Sequence, residues 1–265
     1  MTAFYREAGS GPAVICHHAN ASSSSQWRGL MELLAPRFRV IAPDQYGSGK
    51  SPAWTEQRLM TLNDEVALLE PLLALVRNNA GPAMHLVGHS YGAAIALKIA
   101  LQHPERVRSL ALYEPTLFTL PLHTPGSEPR VQGIIDAVRQ SSDRLAKGES
   151  NDAAEPFIDY WMGAGAWAAM PEERKPAIRK AIYLIEHWGH ALCSEPLVAA
   201  DFARLTMPVL YMVGERSPES ARSVADLLCP ALPNFTYREF ARRGHMAPVT
   251  HPDEVNAAIA EFLKD

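Results

Sequence analysis

Short, compact apolar runs recur in the first and last parts of the chain, and polar or turn-forming residues bound each of them. Runs of this length, rich in β-branched and aromatic residues, predict strands that are covered on both faces. We expect such strands at Ala13–His17, Arg39–Ala42, Met84–Gly88, Ser109–Tyr113, Val209–Val213 and Phe235–Phe240, with an additional edge strand at Phe4–Glu7.

Longer segments with helical periodicity lie between these runs. Asn63–Val76 has apolar residues spaced three and four apart, and Gly92–Gln102 is almost wholly apolar, which predicts a buried helix. A last helix is predicted at Pro252–Leu263, because proline suits the first turn of a helix. Alternating strands and helices favour an α/β fold with a mainly parallel central sheet flanked by helices.

The alternation stops between Thr116 and Thr206. This region lacks a good strand pattern but has helical patterns at Val131–Lys147, Glu155–Met162 and Pro171–Trp188. We therefore divide the chain into a core of residues 1–115 and 207–265 and a helical insertion of residues 116–206. Ligands of such sheets bind beyond the carboxyl ends of the strands, so the insertion is expected to form a cap, or lid, over the substrate pocket.

Composition narrows the range of partners. Of the 265 residues, 47% are hydrophobic and 20% are charged, and the net charge of −4 gives no indication of nucleic acid or an anionic membrane as a partner. The three cysteines are far apart, which argues against a disulfide framework or a zinc site. The sequence has no apolar signal or membrane-spanning run, and together with the sparse cysteines this predicts a cytoplasmic protein. Nothing in the sequence indicates a metal or an organic cofactor, and we expect the partner to be a small molecule.

The most informative motif is Gly88-His89-Ser90-Tyr91-Gly92, because it joins a predicted buried strand to a predicted buried helix. In this context a G-x-S-x-G sequence predicts a nucleophile elbow, in which the serine lies at the tip of a sharp, strained turn. The free N–H groups at the start of the helix then face the reacting centre. The alternative interpretation is a tight turn with an incidental serine.

Four segments, taken in order, resemble the α/β-hydrolase superfamily. They are the strand ending at His17, the D-x-x-G-x-G-x-S loop at residues 44–51, the elbow, and Gly244-His245-Met246 after the last predicted strand. The resemblance covers nearly the whole chain and implies a hydrolase with Ser90 as nucleophile. A serine hydroxyl needs an adjacent base, and His245 fits this role best among the ten histidines. A histidine in a surface loop is the alternative interpretation.

The resemblance also implies an oxyanion hole formed by the backbone N–H groups of Tyr91 and Ala19. The chain departs from the family's His-Gly turn here, because His18 stands where the family has glycine. We expect the surrounding substrate pocket to include residues His18, Asn20, Trp161, Trp188 and Met246.

The carboxylate that should orient His245 is not at the family's usual position. That position, after the penultimate predicted strand, holds Ser217. We prefer Glu114, which directly follows the strand after the elbow helix, because some members of the superfamily place their acid there. Glu215 is the alternative acid. A solvated charge for Glu114 and an ion pair with a nearby arginine for Glu215 are the competing interpretations.

These residues predict a serine hydrolase that cleaves a small, apolar carboxylic ester through an acyl-enzyme on Ser90. Aromatic residues of the insertion favour an apolar substrate, although they would equally suit the insertion's own core. The same residues are compatible with a carbon–carbon bond hydrolase, a cofactor-free perhydrolase or haloperoxidase, or an acyltransferase. A non-catalytic ligand-binding receptor on the same fold is the alternative of a different class.

Overall fold

The computed structural model describes residues 2–80 and 84–264, and in it the chain forms a seven-stranded sheet. The strands are β1 (Tyr5–Ala8), β2 (Ala13–His17), β3 (Arg39–Pro43), β4 (Met84–His89), β5 (Val107–Tyr113), β6 (Val209–Gly214) and β7 (Phe235–Phe240). Their order across the sheet is β1-β3-β2-β4-β5-β6-β7, with β1 antiparallel to β3 and every other neighbouring pair parallel. The predicted α/β fold is confirmed.

The strand predictions are accurate because the central strands are buried along their whole length. Every residue of β2, β4 and β6 is buried. Along β2, Ala13 and Ile15 face one apolar cluster while Val14 and Cys16 face another, so the sheet is covered on both sides. The edge strand begins at Tyr5, one residue later than predicted.

The helices flank the sheet and fill the region between β5 and β6. They are α1 (Arg28–Leu34), α2 (Leu62–Ala80), α3 (Tyr91–Gln102), α4 (Thr119–Leu122), α5 (Gln132–Ala146), α6 (Glu155–Met162), α7 (Ala166–Ala169), α8 (Lys175–Ala181), α9 (Ile185–Cys193), α10 (Glu219–Leu228), α11 (Ala247–Thr250) and α12 (Pro252–Phe262). Helix α3 is buried from Tyr91 to Leu101, as its apolar sequence predicts.

The single helical pattern predicted at Pro171–Trp188 is wrong in one respect. The segment forms α8 and the start of α9, separated by a 3₁₀ turn at Ile182–Leu184, and a further 3₁₀ turn at Glu172–Arg174 precedes α8. A 3₁₀ turn repeats every three residues, so it keeps the apolar spacing of a helix while it changes the direction of the chain. Periodicity alone therefore does not reveal the break.

A buried ion pair holds the end of the helical insertion against the core. Lys98 of α3 lies 2.6 Å from the Glu195 carboxylate, whose other oxygen accepts the Leu62 N–H at the start of α2. The Glu195 carbonyl also accepts the Thr119 hydroxyl, at 2.6 Å. Glu195, two residues beyond the end of α9, thus joins two core helices to the beginning of the insertion.

Candidate active site

Ser90 lies in the turn between β4 and α3, in a backbone conformation that is rare for a residue other than glycine. Its φ and ψ are 56° and −119°, and its N–H donates to the Tyr113 carbonyl on the adjacent strand at 2.9 Å. A strained residue of this kind persists only where its surroundings hold it, and such residues concentrate at functional sites. The turn has the geometry of the predicted nucleophile elbow.

The two glycines of the motif are required by close packing. A Cβ atom on Gly92 would lie 2.3 Å from the carbonyl oxygen of His17, and one on Gly88 would lie 2.4 Å from the Cα of Ala93. Neither contact is tolerated in a packed protein, because both neighbours are backbone atoms. Glycine therefore lets α3 begin directly against β2 and against the end of β4.

Ser90, His245 and Glu114 form one continuous hydrogen-bonded chain. The Ser90 hydroxyl lies 2.9 Å from Nε2 of His245, and Nδ1 of the same ring lies 2.6 Å from Oε2 of Glu114. His245 is 1% exposed and Glu114 is fully buried, so water does not compete for these contacts. The arrangement matches the nucleophile, base and acid of a triad.

Glu114 is aimed at the histidine by an unusual backbone and by donors from the neighbouring strand. Its φ is 45°, and its N–H donates to the Met212 carbonyl. The second carboxylate oxygen accepts the N–H of Gly214 at 2.6 Å and the hydroxyl of Ser217 at 2.5 Å. Charge-assisted hydrogen bonds of this kind stabilise a buried carboxylate. Ser217 therefore holds the carboxylate in place, a role that the sequence did not indicate.

The alternative acid, Glu215, lies away from this chain. Its side chain is exposed and accepts the backbone N–H of Arg242 at 2.5 Å, in the loop after β7. The Glu215 carboxylate thereby connects the loop after β6 to the loop after β7. Glu114 is the acid that reaches His245.

The imidazole of His245 lies between two other rings. The indole of Trp161, from α6, stacks on it with the ring centroids 3.8 Å apart and the planes inclined by 25°. The ring of His89 lies near it at 5.1 Å, inclined by 48°. The loop that carries His245 is also fixed by the Tyr113 hydroxyl, which donates to the Gly244 carbonyl.

The two predicted oxyanion donors differ in their surroundings. Tyr91 is the first residue of α3, where N–H groups have no partner within the helix. The Ala19 N–H instead donates to Oε1 of Gln26 at 3.1 Å. The next residue, Asn20, lines the same cavity as Ser90, and its side-chain oxygen is buried without a partner in the described part of the chain.

The cavity that opens at Ser90 has a volume of about 650 Å³ and is bounded mainly by the helical insertion. Its apolar walls include Phe118, Ile134, Phe157, Trp161, Trp188 and Leu192. Charged side chains of Arg139, Asp143 and Glu186, on α5 and α9, also border it. Pockets for small molecules are typically of this size and apolar character.

His18 and Met246, which the sequence predicts in the pocket, are not in its lining among the described residues. The His18 ring is fully buried, donates from Nδ1 to the Ala19 carbonyl and accepts the Gln45 N–H at Nε2, so it faces the protein. Burial lowers its pKa to about 4. Met246 precedes α11 and packs against the apolar core instead.

Neither a metal cluster nor a membrane-crossing helix is found in the parts of the chain that the structure describes. Among residues 2–80 and 84–264, no three His, Cys, Asp or Glu side chains are placed to hold an ion together. Within the same residues, no helix is both long and apolar enough to cross a bilayer.

The match to a known family decides the affiliation of this fold and site. The model of the alpha/beta hydrolase fold family matches residues 12–252, which is most of the chain. The chain belongs to this family. As an alpha/beta hydrolase it is an enzyme of the hydrolase class, consistent with the names of its curated relatives.

Similar proteins match this alpha/beta hydrolase over nearly its full length. A pimeloyl-[acyl-carrier protein] methyl ester esterase of Aeromonas hydrophila is 26% identical over 96% of each chain. Lipase LipV of Mycobacterium tuberculosis is 30% identical over 96% of this chain and 94% of its own. The structure of a thermophilic esterase from Thermogutta terrifontis is similar with a TM-score of 0.74 at 22% identity, over 99% of this chain and 93% of that one.

Proposed function

We propose that this alpha/beta hydrolase is a serine hydrolase that cleaves small, apolar carboxylic esters through an acyl-enzyme on Ser90. The observation that carries the proposal is the hydrogen-bonded chain from Ser90 through His245 to Glu114, because its serine end opens into an apolar cavity. Curated relatives named as an esterase and a lipase support the same reaction class.

In the acylation step, the Ser90 oxygen attacks the ester carbonyl carbon while Nε2 of His245 accepts the hydroxyl proton. The tetrahedral intermediate then collapses, and the bond to the alcohol oxygen breaks. His245 returns its proton to that oxygen, so the alcohol leaves neutral and the acyl group stays on Ser90.

In the deacylation step, His245 accepts a proton from water, and the resulting hydroxide attacks the acyl carbonyl. Collapse of the second intermediate breaks the bond to Ser90, which recovers its proton from His245. The carboxylic acid is released and the enzyme returns to its starting state.

Glu114 keeps His245 in the form that both steps need. Its Oε2 accepts the proton on Nδ1, so Nε2 remains unprotonated and able to accept from Ser90. When His245 becomes positively charged, the buried carboxylate stabilises that charge. The donors Gly214 and Ser217 offset the cost of burying the carboxylate itself.

The oxyanion is bound by the Tyr91 N–H and by a second donor from the loop after β2. We assign this second donor to the Asn20 N–H instead of the Ala19 N–H. The reason is that Ala19 already donates to Gln26, whereas Asn20 borders the cavity at Ser90. Loss of one such donor typically costs about 3 kcal/mol in the transition state.

The helical insertion of residues 116–206 acts as a cap that selects the substrate. It contributes most of the apolar cavity wall, including Phe157, Trp161 and Trp188, so apolar acyl or alcohol groups gain from burial there. The cavity volume of about 650 Å³ suits a small molecule.

A fluorophosphonate probe tests the proposal directly, because it reacts only with an activated serine. We expect one label per chain, located at Ser90, and none in the Ser90→Ala variant. A panel of esters with graded acyl length then identifies the preferred substrate. If the folded protein fails to label and hydrolyses no ester, it binds its ligand without acyl transfer and the proposal is wrong.

A further inference from the structure

The His89 ring, next to Ser90 in the elbow, joins two loops that the proposed reaction depends on. It is fully buried, and its Nε2 lies 2.8 Å from the carbonyl oxygen of His245. Its Nδ1 lies 3.1 Å from Nε2 of Gln26, a residue of the 3₁₀ turn that follows the oxyanion loop. The same amide accepts the Ala19 N–H at Oε1, at 3.1 Å.

These hydrogen bonds run from the Ala19 N–H through Gln26 and His89 to the His245 carbonyl, and the two end groups determine where each proton lies. The Ala19 N–H is only a donor, so the atom of Gln26 that faces it must be the amide oxygen. The amide NH₂ group of Gln26 then faces His89, and Nδ1 of that ring must be an unprotonated acceptor. The proton of the neutral ring consequently lies on Nε2, where it meets the His245 carbonyl, which is only an acceptor.

We propose that Gln26 is a positioning residue that fixes the tautomer of His89 and, through it, ties the oxyanion loop to the loop that carries the catalytic base. The proposal rests on the proposed function for its catalytic consequence, while the tautomer itself is a property of the resting protein. Gln26 touches neither the substrate nor Ser90 in this role.

The surroundings of His89 favour a neutral ring. Burial lowers the pKa of His89 well below its ordinary value, and the neighbouring His245 ring lowers it further. The other titratable groups facing it are the Tyr113 ring, packed edge-on at 5.6 Å, and the side chain of His18. A neutral His89 matters because a positive charge there would oppose the charge that His245 acquires when it accepts the serine proton.

Gln26→Glu changes one NH₂ group into an oxygen without altering the shape of the side chain. A carboxylate still accepts the Ala19 N–H, but its second oxygen presents an acceptor to Nδ1 of His89. Nε2 keeps its proton, which it donates to the His245 carbonyl. We therefore expect the His89 ring to take up a second proton at Nδ1. His89 then becomes an imidazolium beside His245.

Nitrogen NMR of ¹⁵N-histidine-labelled protein measures this directly. In the wild type we expect His89 to have a protonated Nε2 and an unprotonated Nδ1 throughout the pH range of activity. In Gln26→Glu we expect Nδ1 to be protonated near neutral pH. We also expect kcat to fall about tenfold, because the charge on His89 opposes the positive charge that His245 acquires during the reaction. KM should change little, and the loss should be relieved at higher pH, where His89 gives up its second proton.

Two further variants separate this role from a general loss of structure. Gln102→Glu makes the same substitution at an exposed position, where the amide donates to Asn63, and should change neither the His89 resonances nor the pH profile. Gln26→Met removes both hydrogen bonds without adding charge, so it should lower kcat at every pH, with no protonation of Nδ1.

The outcomes are distinct. A wild-type His89 with its proton on Nδ1 overturns the inference, as does a Gln26→Glu variant whose His89 spectrum is unchanged. A pH-independent loss of rate in Gln26→Glu also overturns it. If the spectra behave as expected but Ser90 does not react with a fluorophosphonate, the tautomer is supported and the proposed function is what fails.

Discussion

The indole of Trp161 covers one face of the His245 imidazole, with 3.8 Å between the ring centroids. The indole belongs to the helical insertion and the imidazole to the loop after β7, so the contact joins two parts of the chain that are distant in sequence. An indole face attracts a positive charge, so the contact stabilises the charge that the imidazole acquires in the proposed reaction.

Trp161→Leu removes this attraction while keeping an apolar side chain in the cavity. We expect kcat/KM for a good ester to fall about tenfold, and Trp161→Phe to lose less because a smaller ring face remains. The loss should fall mainly on kcat, since the charge on the imidazole develops only during the reaction.

Trp188→Leu is the matched control for this effect. Trp188 borders the same cavity, but its ring packs against Phe157, with the ring centroids 6.1 Å apart, and not against His245. We expect its loss to change KM and the preference among esters while leaving kcat for a good ester within about twofold. Equal kcat values for the wild type and Trp161→Leu would show that the stacking does not influence His245.

Glu114→Gln should reduce kcat by about 10³- to 10⁴-fold, because a neutral amide neither selects the required tautomer of His245 nor stabilises its positive charge. Glu215→Gln should leave kcat within about twofold, since an exposed side chain that braces two loops has no part in the proton transfers. Ester hydrolysis by the two variants under the same conditions decides between the two acids.

Relocating the acid gives a stricter test of the same geometry. The Ser217 hydroxyl lies 2.5 Å from the Glu114 carboxylate, so an aspartate at position 217 approaches the same space. We expect the double variant Glu114→Ala, Ser217→Asp to hydrolyse esters at least about tenfold faster than Glu114→Ala alone. Ser217→Asp by itself should destabilise the fold, because two carboxylates then crowd one buried site. No recovery in the double variant would indicate that the position 217 side chain does not reach His245.

Gly92→Ala places a methyl group where the His17 and His18 carbonyl oxygens already lie, 2.3 and 2.4 Å from the new Cβ. We expect a loss of about 1–3 kcal/mol in the free energy of unfolding, together with a large loss of activity, because α3 must move away from the oxyanion loop. Urea denaturation provides the measurement.

Gly29→Ala serves as the comparison for that experiment. Gly29 is an exposed residue of α1, and the nearest atom to a new Cβ is the Asn256 side-chain nitrogen at 3.3 Å. Alanine is favoured in helices, but the Asn256 amide must shift slightly to admit it, so we expect a change of no more than about 1 kcal/mol in the free energy of unfolding and unchanged activity. Equal stabilities for Gly92→Ala and the wild type would contradict the packing argument.

Glu65 couples the stability of the fold to pH. Its carboxylate, fully buried on α2, accepts the Tyr46 N–H and the Tyr91 hydroxyl. Burial raises its pKa from 4.5 to about 7. The folded protein therefore binds this proton more tightly than the unfolded chain does. The stabilisation that protonated Glu65 contributes is complete below about pH 4.5 and is lost as the pH rises to about 7.

Glu65→Gln removes this titration and still offers an acceptor and a donor to the two tyrosines. We expect the difference in unfolding free energy between variant and wild type to increase from pH 4.5 to pH 7 by up to about 3 kcal/mol, and to be constant above pH 7. Buried His17 and His18, whose pKa values fall to about 3 and 4, give an opposite slope that cancels in this difference. Glu32→Gln, a change at an exposed residue of α1, should give a flat difference. A flat difference for Glu65→Gln as well would mean that the carboxyl is already ionised.

The sequence was sufficient for the elements whose signals are local. The strand at Ala13–His17 is apolar throughout, and the elbow motif combines a strand, a turn and a helix within a few residues, so both were predicted with nearly correct bounds. The prediction of Glu114 has a different basis. Ser217 occupies the position where the family usually has its acid, so another carboxylate must orient His245.

The features of the candidate site that the sequence does not predict depend on contacts between residues far apart in the chain. Gln26 meets His89 across 63 positions of the chain, and nothing in its own neighbourhood distinguishes it from other surface glutamines. The contact of Trp161 with His245 likewise depends on how the insertion packs, which periodicity does not specify. The burial of His18 depends on the loop that follows β3, whose Gln45 N–H the ring accepts.

Ser90 and Glu114 follow β4 and β5, whose last residues His89 and Tyr113 are paired in the sheet. The distance between the proposed nucleophile and the proposed acid is therefore set by the backbone hydrogen bonds between two adjacent strands. The loop after β6 therefore does not supply the carboxylate. The Gly214 N–H and the Ser217 hydroxyl contribute there as donors to Glu114. For anyone redesigning this enzyme, the pairing of β4 with β5 is the feature to keep, because a shift of register between them would separate Ser90 from Glu114.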